Sequence, residues 1–174
     1  MNRFVTASAA GLFLAAASAF AQAPSDAQIA AIVVTANQVD IDAGKLAESK
    51  ASNAAVKAFG KQMVTDHSGV NKQAVALVTK LKVTPEDNAT SKALKAGGAE
   101  NVKNLQKLSG SAFDRAYVDH EVEYHQQVLD AVDKTLIPSA QNAELKSLLV
   151  AVRPAFVAHL EHAKNLQASL GKKS

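Results

Sequence analysis

The sequence predicts an all-α protein: a four-helix bundle made of two antiparallel helix pairs joined by a long, partly helical crossover. Three observations carry this reading. Four stretches place apolar residues at alternating spacings of three and four, which is one buried face of a helix. No stretch alternates apolar and polar residues with the period of two that a half-buried strand requires. The breaks between the stretches hold helix starts and stops, namely Ser25, Asn53, Gly110 and Pro138.

The first residues stand apart from the bundle. Arg3 supplies a positive start, Phe4 to Phe20 is an uncharged run of 17 residues, and Ala19-Phe20-Ala21 is a small-x-small cleavage site. Residues 1–21 therefore read as a Sec-type signal peptide, cleaved after Ala21, which predicts a periplasmic or secreted protein. No later segment is apolar enough to span a bilayer. Residues 22–174 form one expected domain, long enough to bury about two-thirds of the surface its unfolded chain exposes. The chain contains no cysteine, so packing alone must hold it together, and thiolate metal sites and thiol catalysis are excluded.

Ser25 with Gln28 three residues later is a capping box that opens the first helix. Ile29, Val33, Ala36, Asp40, Ala43 and Ala47 mark its inner face, and it runs to about Lys50. Ser52 and Asn53 supply a turn and an N-cap for a second helix. The short connection makes the two helices antiparallel neighbours. In the second helix the seam is Val56, Gly60, Met63, His67, Val70, Ala74, Leu77 and Leu81, apolar or small at every place except His67.

The crossover spans about residues 82–110. Thr84-Pro85-Glu86-Asp87 reads as a helix start, Gly97-Gly98 as an interruption, and Val102, Leu105 and Leu108 as a thin apolar stripe. Gly110 ends it, and Ser111 with Asp114 reads as a box opening the third long helix, whose seam is Val118, Val122, His125, Leu129, Val132 and Leu136. Pro138 stops that helix and Ser139 can cap the last one, whose seam is Leu145, Leu149, Val152, Phe156, His159, Ala163, Leu166 and Leu170. Pro154 lies inside this helix, removes one amide donor and is expected to free or kink the backbone near Val150. Two antiparallel pairs with a long crossover is the connectivity of ferritin-like bundles.

Composition removes several function classes. Without Arg3 the formal charge falls from +3 to +2, with 18 basic against 16 acidic side chains, too small an excess to argue for nucleic acid. Aromatic residues are sparse and tryptophan is absent, which leaves no stacking platform for bases or sugars. Serines fall at caps and turns, which gives no support for a nucleophilic hydrolase.

What remains is one polar seam residue in each long helix: Asp40, His67, His125 and His159. Several motifs around them are similar to a known family. Gly44-Lys45-Leu46-Ala47, Phe59 to His67 ending in Met63-Val64-Thr65-Asp66-His67, Phe113-Asp114-Arg115-Ala116-Tyr117, His125, and Pro154 followed by His159-Leu160 resemble the exported bacterial domain of unknown function 4142. The resemblance covers about Asp26 to Leu166 and implies a ferritin-like bundle of the periplasm or envelope with no assigned reaction. It implies an inward glutamate four residues before the glycine of the first motif. Asp40 occupies that place here and reaches about one methylene less far.

Three imidazoles and a carboxylate suit zinc, iron, manganese or copper. Asp66, Glu121 and His162 lie close enough in sequence to act as outer partners or alternates. Di-iron bundles carry Glu-x-x-His twice, whereas the residues three before the five histidines are Val64, Tyr117, Val122, Phe156 and His159, which speaks against di-iron chemistry. Counted from Pro138, His125 and His159 lie about 10 Å out of axial register at 1.5 Å per residue; an offset turn or the Pro154 kink would have to remove that gap. Three functional readings stand: a metal or small-ligand site in the core; a non-enzymatic structural or interaction bundle, its histidines hydrogen-bonding inside the core and Lys50, Lys57 and Lys61 facing an envelope protein partner; and a pH sensor built on buried imidazoles. No catalytic motif is present in any of them. His120 reads as a rim residue, and Tyr117 and Tyr124 as packing residues whose hydroxyls find partners.

Overall fold

The computed structural model describes residues 23–171. The expected leader with its cleavage point and the Lys172-Lys173 tail lie outside the described residues. Four long helices form the bundle: α1 (Asp26–Lys50), α2 (Ala54–Leu81), α4 (Gly110–Ala131) and α6 (Ala143–Gly171), with α3 (Ala89–Gln106) in the crossover and α5 (Ile137–Ser139) as a short piece of the last connection. α1 packs along α2 and α4 along α6, while α3 lies mainly on α1. Among the described residues no helix is long and apolar enough to cross a membrane.

Local chemistry explains most boundaries. Ser25 Oγ accepts from the Gln28 amide at 3.2 Å and Gln28 Oε1 accepts from the Ser25 amide at 3.1 Å, the reciprocal box that starts α1. Asn53 caps α2 by accepting from the Ala55 amide at 2.9 Å. Where α1 and α2 cross, Gly44 and Gly60 face each other; a Cβ on either would stand 2.8 Å from the other's carbonyl oxygen. The two glycines therefore set the spacing of this pair.

Five local features depart from the sequence reading. The crossover helix does not begin at Thr84-Pro85: Asn88 is its cap, sharing a reciprocal box with Ser91, and the Glu86 amide is instead spent on Ala27 O at 3.0 Å, tying the loop to the start of α1. Gly97-Gly98 does not interrupt α3. Gly98 lies against Val39, where a Cβ would come within 2.6 Å, so this glycine serves close packing rather than a break. Ser111 and Asp114 do not box the start of α4; Ser109 is the cap residue, without a side-chain bond, and Asp114 reaches across to Ser52 and Asn53. Finally, α4 does not stop at Pro138. It passes through a π-helical turn, Val132–Leu136, into α5, and α6 is capped by Asn142, not Ser139, through the Glu144 and Leu145 amides at 2.9 and 3.1 Å. α6 runs on through Pro154, which is exposed.

The apolar core falls into groups along the bundle. One end is filled by Val56, Phe59, Met63, Phe113, Tyr117 and Leu166, the other by Ile29, Ile32, Val132, Leu145 and Leu149, with Val70, Leu129, Val152 and Phe156 between α2, α4 and α6. Six of the buried polar side chains, Asn37, Asp40, His67, Glu121, His125 and His159, come from the four long helices and lie apart from the two that serve helix ends, Ser91 of α3 and Asp114 of α4.

Candidate metal centre

His67, His125 and His159 face one another from α2, α4 and α6, with ring centroids 5.6 Å (67 to 125), 5.1 Å (67 to 159) and 5.4 Å (125 to 159) apart. One nitrogen from each lies within 4.8 Å of the others. The expected 10 Å offset between His125 and His159 is absent. Because α4 stays helical to Ser139 and α6 begins only at Ala143, His125 is 14 residues from the turn and His159 is 16, a difference of about 3 Å.

The outer nitrogen of each ring is committed to an oxygen. His67 Nδ1 lies 2.7 Å from Asn37 Oδ1, and the Asn37 amide is oriented by its own bond to Val33 O at 2.8 Å. His125 Nδ1 lies 3.0 Å from the Glu121 carbonyl, and His159 Nε2 lies 2.9 Å from Asp66 Oδ2. All three acceptors lack a proton to give, so in each ring the outer nitrogen carries the hydrogen. The inner nitrogens, His67 Nε2, His125 Nε2 and His159 Nδ1, thus present bare lone pairs, and each is buried without a hydrogen-bond partner.

Asp40 of α1 completes the group. Its Oδ2 is 3.3 Å from His67 Nε2 and 3.8 Å from His125 Nε2, while its Oδ1 is buried and unpartnered. Glu121, fully buried, adds a second carboxyl: its Oε2 lies 3.4 Å from His125 Nδ1, and donor atoms of Asp40, Glu121 and His125 fall within 4.8 Å of one another. Burial, then the neighbouring Glu121, holds the Asp40 carboxyl well above the usual carboxylate range. Burial likewise lifts Glu121 to about 7. Burial, with the nearby His125 and His159, pushes His67 down to about 2, and burial also lowers His159. Without a bound ion, burial therefore favours the neutral forms of His67 and His159 and the protonated forms of Asp40 and Glu121.

The four seam residues singled out in the sequence, His67, His125, His159 and Asp40, are thus brought together, and Asp66 and Glu121 stand beside them. His162 does not join: it is exposed, its Nδ1 lies 3.1 Å from Gln62 Oε1, and its ring meets Phe59 edge-on. Tyr124 donates to Ala36 O at 3.0 Å, but the Tyr117 hydroxyl, buried near Glu121, forms no hydrogen bond of good geometry, contrary to expectation. His120 is half-buried and stacks on Tyr124. Lys50, one of the three lysines named for a partner-facing surface, is half-buried, donates to Gln106 O and lies 5.8 Å from the Phe113 ring centroid. Asn37 is the residue that sequence reasoning missed. It lies one turn before Asp40 and one after Val33, so a second polar residue beside the α1 seam was the available signal.

A family model described as domain of unknown function (DUF4142) matches residues 12–166, and the chain belongs to that family. No curated protein and no solved structure matches it.

Proposed function

We propose that this member of the DUF4142 family is an exported envelope protein that binds one divalent transition-metal ion in its core, through His67, His125, His159 and Asp40, with Glu121 beside them. The observation that carries the reading is the direction of the lone pairs. Three buried imidazoles have their outer nitrogens pinned by Asn37, Glu121 O and Asp66, and their inner nitrogens bare. Ligating histidines are oriented by such outer bonds. Histidines that merely tied helices together would spend both nitrogens on protein groups, because an unpaired buried polar atom costs about 1–3 kcal/mol. The donor set, imidazole nitrogen with carboxylate oxygen, fits zinc, iron, manganese or copper. Such an ion would supply a Lewis-acid centre, and the chain's residues hold and orient its ligands.

Export rests on the N-terminal pattern of Arg3, the uncharged run and Ala19-Phe20-Ala21. The test is elemental analysis of untagged protein isolated from a periplasmic fraction, with N-terminal sequencing of the same sample. Near-stoichiometric metal, lost in His67→Ala and His125→Ala variants that keep their helical content, is the expected result, with Gln22 as the first residue. Metal-free wild-type protein that takes up no zinc, cobalt, manganese, iron or copper on titration would overturn the metal reading. A first residue of Met1 would overturn export.

A further inference from the structure

Beside the candidate metal centre lies an apolar cavity of about 100 Å³. Its walls come from α1, α3, α4 and α6, chiefly Ile32, Val33, Leu94, Val128, Leu149 and Phe156, and its lining includes Asp40 and His67. Thr90 and Gln127, also in the lining, are exposed and mark a mouth between α3 and α4, whereas Asp40 and His67 are only 3 % and 2 % exposed and mark the inner end.

We propose that this chamber is a ligand site adjoining the metal: it takes a small uncharged molecule whose apolar body lies among the aliphatic side chains and whose single donor atom faces the His67–Asp40 edge. The proposal rests on the metal reading above for its inner end only. Three features choose the ligand class. Size comes first: the cavity is about two-thirds of an engineered apolar cavity of about 150 Å³ that holds benzene or xenon, which limits the occupant to about five non-hydrogen atoms. The walls come second. They give a charged body no partner, and burying an unpaired charge is prohibitive. The polar end comes third. Asn37 also lines the cavity, but one of its two amide hydrogens is given to Val33 O and its oxygen faces His67 Nδ1, so the strongest partner for a ligand's electron-pair donor at the inner end is the metal edge at His67 and Asp40.

The test has two arms, both on the purified full mature protein. In the metal-free protein, xenon is the probe, read by methyl chemical shifts. Shifts confined to Ile32, Val128 and Leu149 are expected, and they disappear in Val128→Phe, with Leu94→Phe as the second filling variant should the first not fold. In cobalt(II)-loaded protein, butane-1-thiol is compared with 2-aminoethanethiol in its ammonium form, which carries the same donor on a charged body that also stays within about five non-hydrogen atoms. Butane-1-thiol is expected to change the visible cobalt bands at a concentration at least tenfold lower, and the filling variants to keep cobalt while losing that response. No xenon shift in the chamber methyls, or equal response to the two thiols, would overturn the chamber while leaving the metal reading intact. Failure to load cobalt would overturn the metal reading and with it the inner end of this site; the xenon arm would then still decide whether the cavity takes apolar ligands.

Discussion

The spacing of α1 and α2 can be tested by one substitution made twice on the same helix. Gly69 and Gly60 both lie in α2; a Cβ on Gly69 meets nothing within 4 Å, whereas one on Gly60 would stand 2.7 Å from Ala47 Cβ, 2.8 Å from Gly44 O and 3.0 Å from Glu48 N. Gly69→Ala should gain the helix-propensity difference, about 0.8–1 kcal/mol, or a rise in Tm of about 2–4 °C for a chain of this size. Gly60→Ala has the same intrinsic gain but must move backbone atoms that no rotamer change can clear, since ordinary carbon contacts are about 3.5–4 Å. Overpacking of this kind typically costs about 1–3 kcal/mol. With two backbone atoms opposed, the upper part of that range applies, the net loss is about 2 kcal/mol, and Tm falls by about 4–8 °C. Thermal unfolding followed by circular dichroism distinguishes the two outcomes. The effect should also reach the site, because Gly44 lies one turn beyond Asp40 on α1 and Gly60 two turns before His67 on α2; parting the helices separates ligands that must be held within about 0.5 Å. Cobalt affinity should therefore fall in Gly60→Ala and stay unchanged in Gly69→Ala. Equal stabilisation by both substitutions would refute the close helix crossing.

Three further outcomes are expected. Asp114 receives the Ser52 amide at 3.0 Å, the Asn53 amide at 2.9 Å and the Ser52 hydroxyl, so Asp114→Ala should lower stability by about 2–3 kcal/mol in urea unfolding, although by sequence it sits in a different helix from the one it caps. Asn37→Ala frees the His67 ring and should weaken metal binding by about 10–100-fold in a chelator competition, with Asn37→Asp restoring the acceptor and part of the affinity. In the metal-free protein, the depressed His67 makes the unfolded chain the better proton acceptor below about 6.5, so its contribution is present above that pH and lost as pH falls. Glu121, raised from 4.5 to about 7, contributes stability below pH 4.5 that is lost as pH rises to about 7. These two slopes, each about 1.4 kcal/mol per pH unit, oppose between pH 4.5 and 6.5. His67→Phe removes one of them, so its unfolding midpoint should drop more steeply than wild type as pH is raised from 5 to 7; identical profiles would contradict the assignment.

Much of this was legible in the sequence because each long helix repeats its apolar seam for five or more turns, and a polar residue inside such a seam must face the core. His67, His125, His159 and Asp40 were found in that way. What the sequence did not disclose depends on contacts between elements. Asp114 has the spacing of a local box, but Ser52 and Asn53 offer two amides from the turn between α1 and α2, and the aspartate serves those. Pro138 is tolerated because it falls at the start of the short helix α5, where its missing amide costs little, and the π-helical turn before it carries α4 past the expected stop. What brings His125 and His159 level is chiefly the start of α6, which falls at Ala143, four residues later than Ser139. Asn37 escaped notice because one polar residue beside a seam is ordinary, and its role appears only when His67 is placed opposite.

The same layer also determines which ion it can exchange for protons. In the metal-free state burial disfavours charge on Asp40 and Glu121 and equally on His67 and His159, and the inner nitrogens of all three imidazoles have no hydrogen-bond partner. Burial thus favours an uncharged set of Asp40, Glu121, His67 and His159. A divalent ion that displaces both acid protons leaves it neutral again, whereas a trivalent ion leaves a buried excess of one positive charge, which is costly in a low-dielectric interior. The balance favours divalent ions and ties binding to proton release. Below about pH 6.5, where Glu121 is still protonated, the binding constant for cobalt(II) should rise about a hundredfold per pH unit if both protons leave and about tenfold if only one does. Glu121→Gln should reduce the steepness by one proton while keeping His67, His125, His159 and Asp40 in place. Titration calorimetry in buffers of different ionisation enthalpy counts the protons directly. A pH-independent binding constant would show that the carboxyls enter the complex already ionised, and the exchange argument would fail.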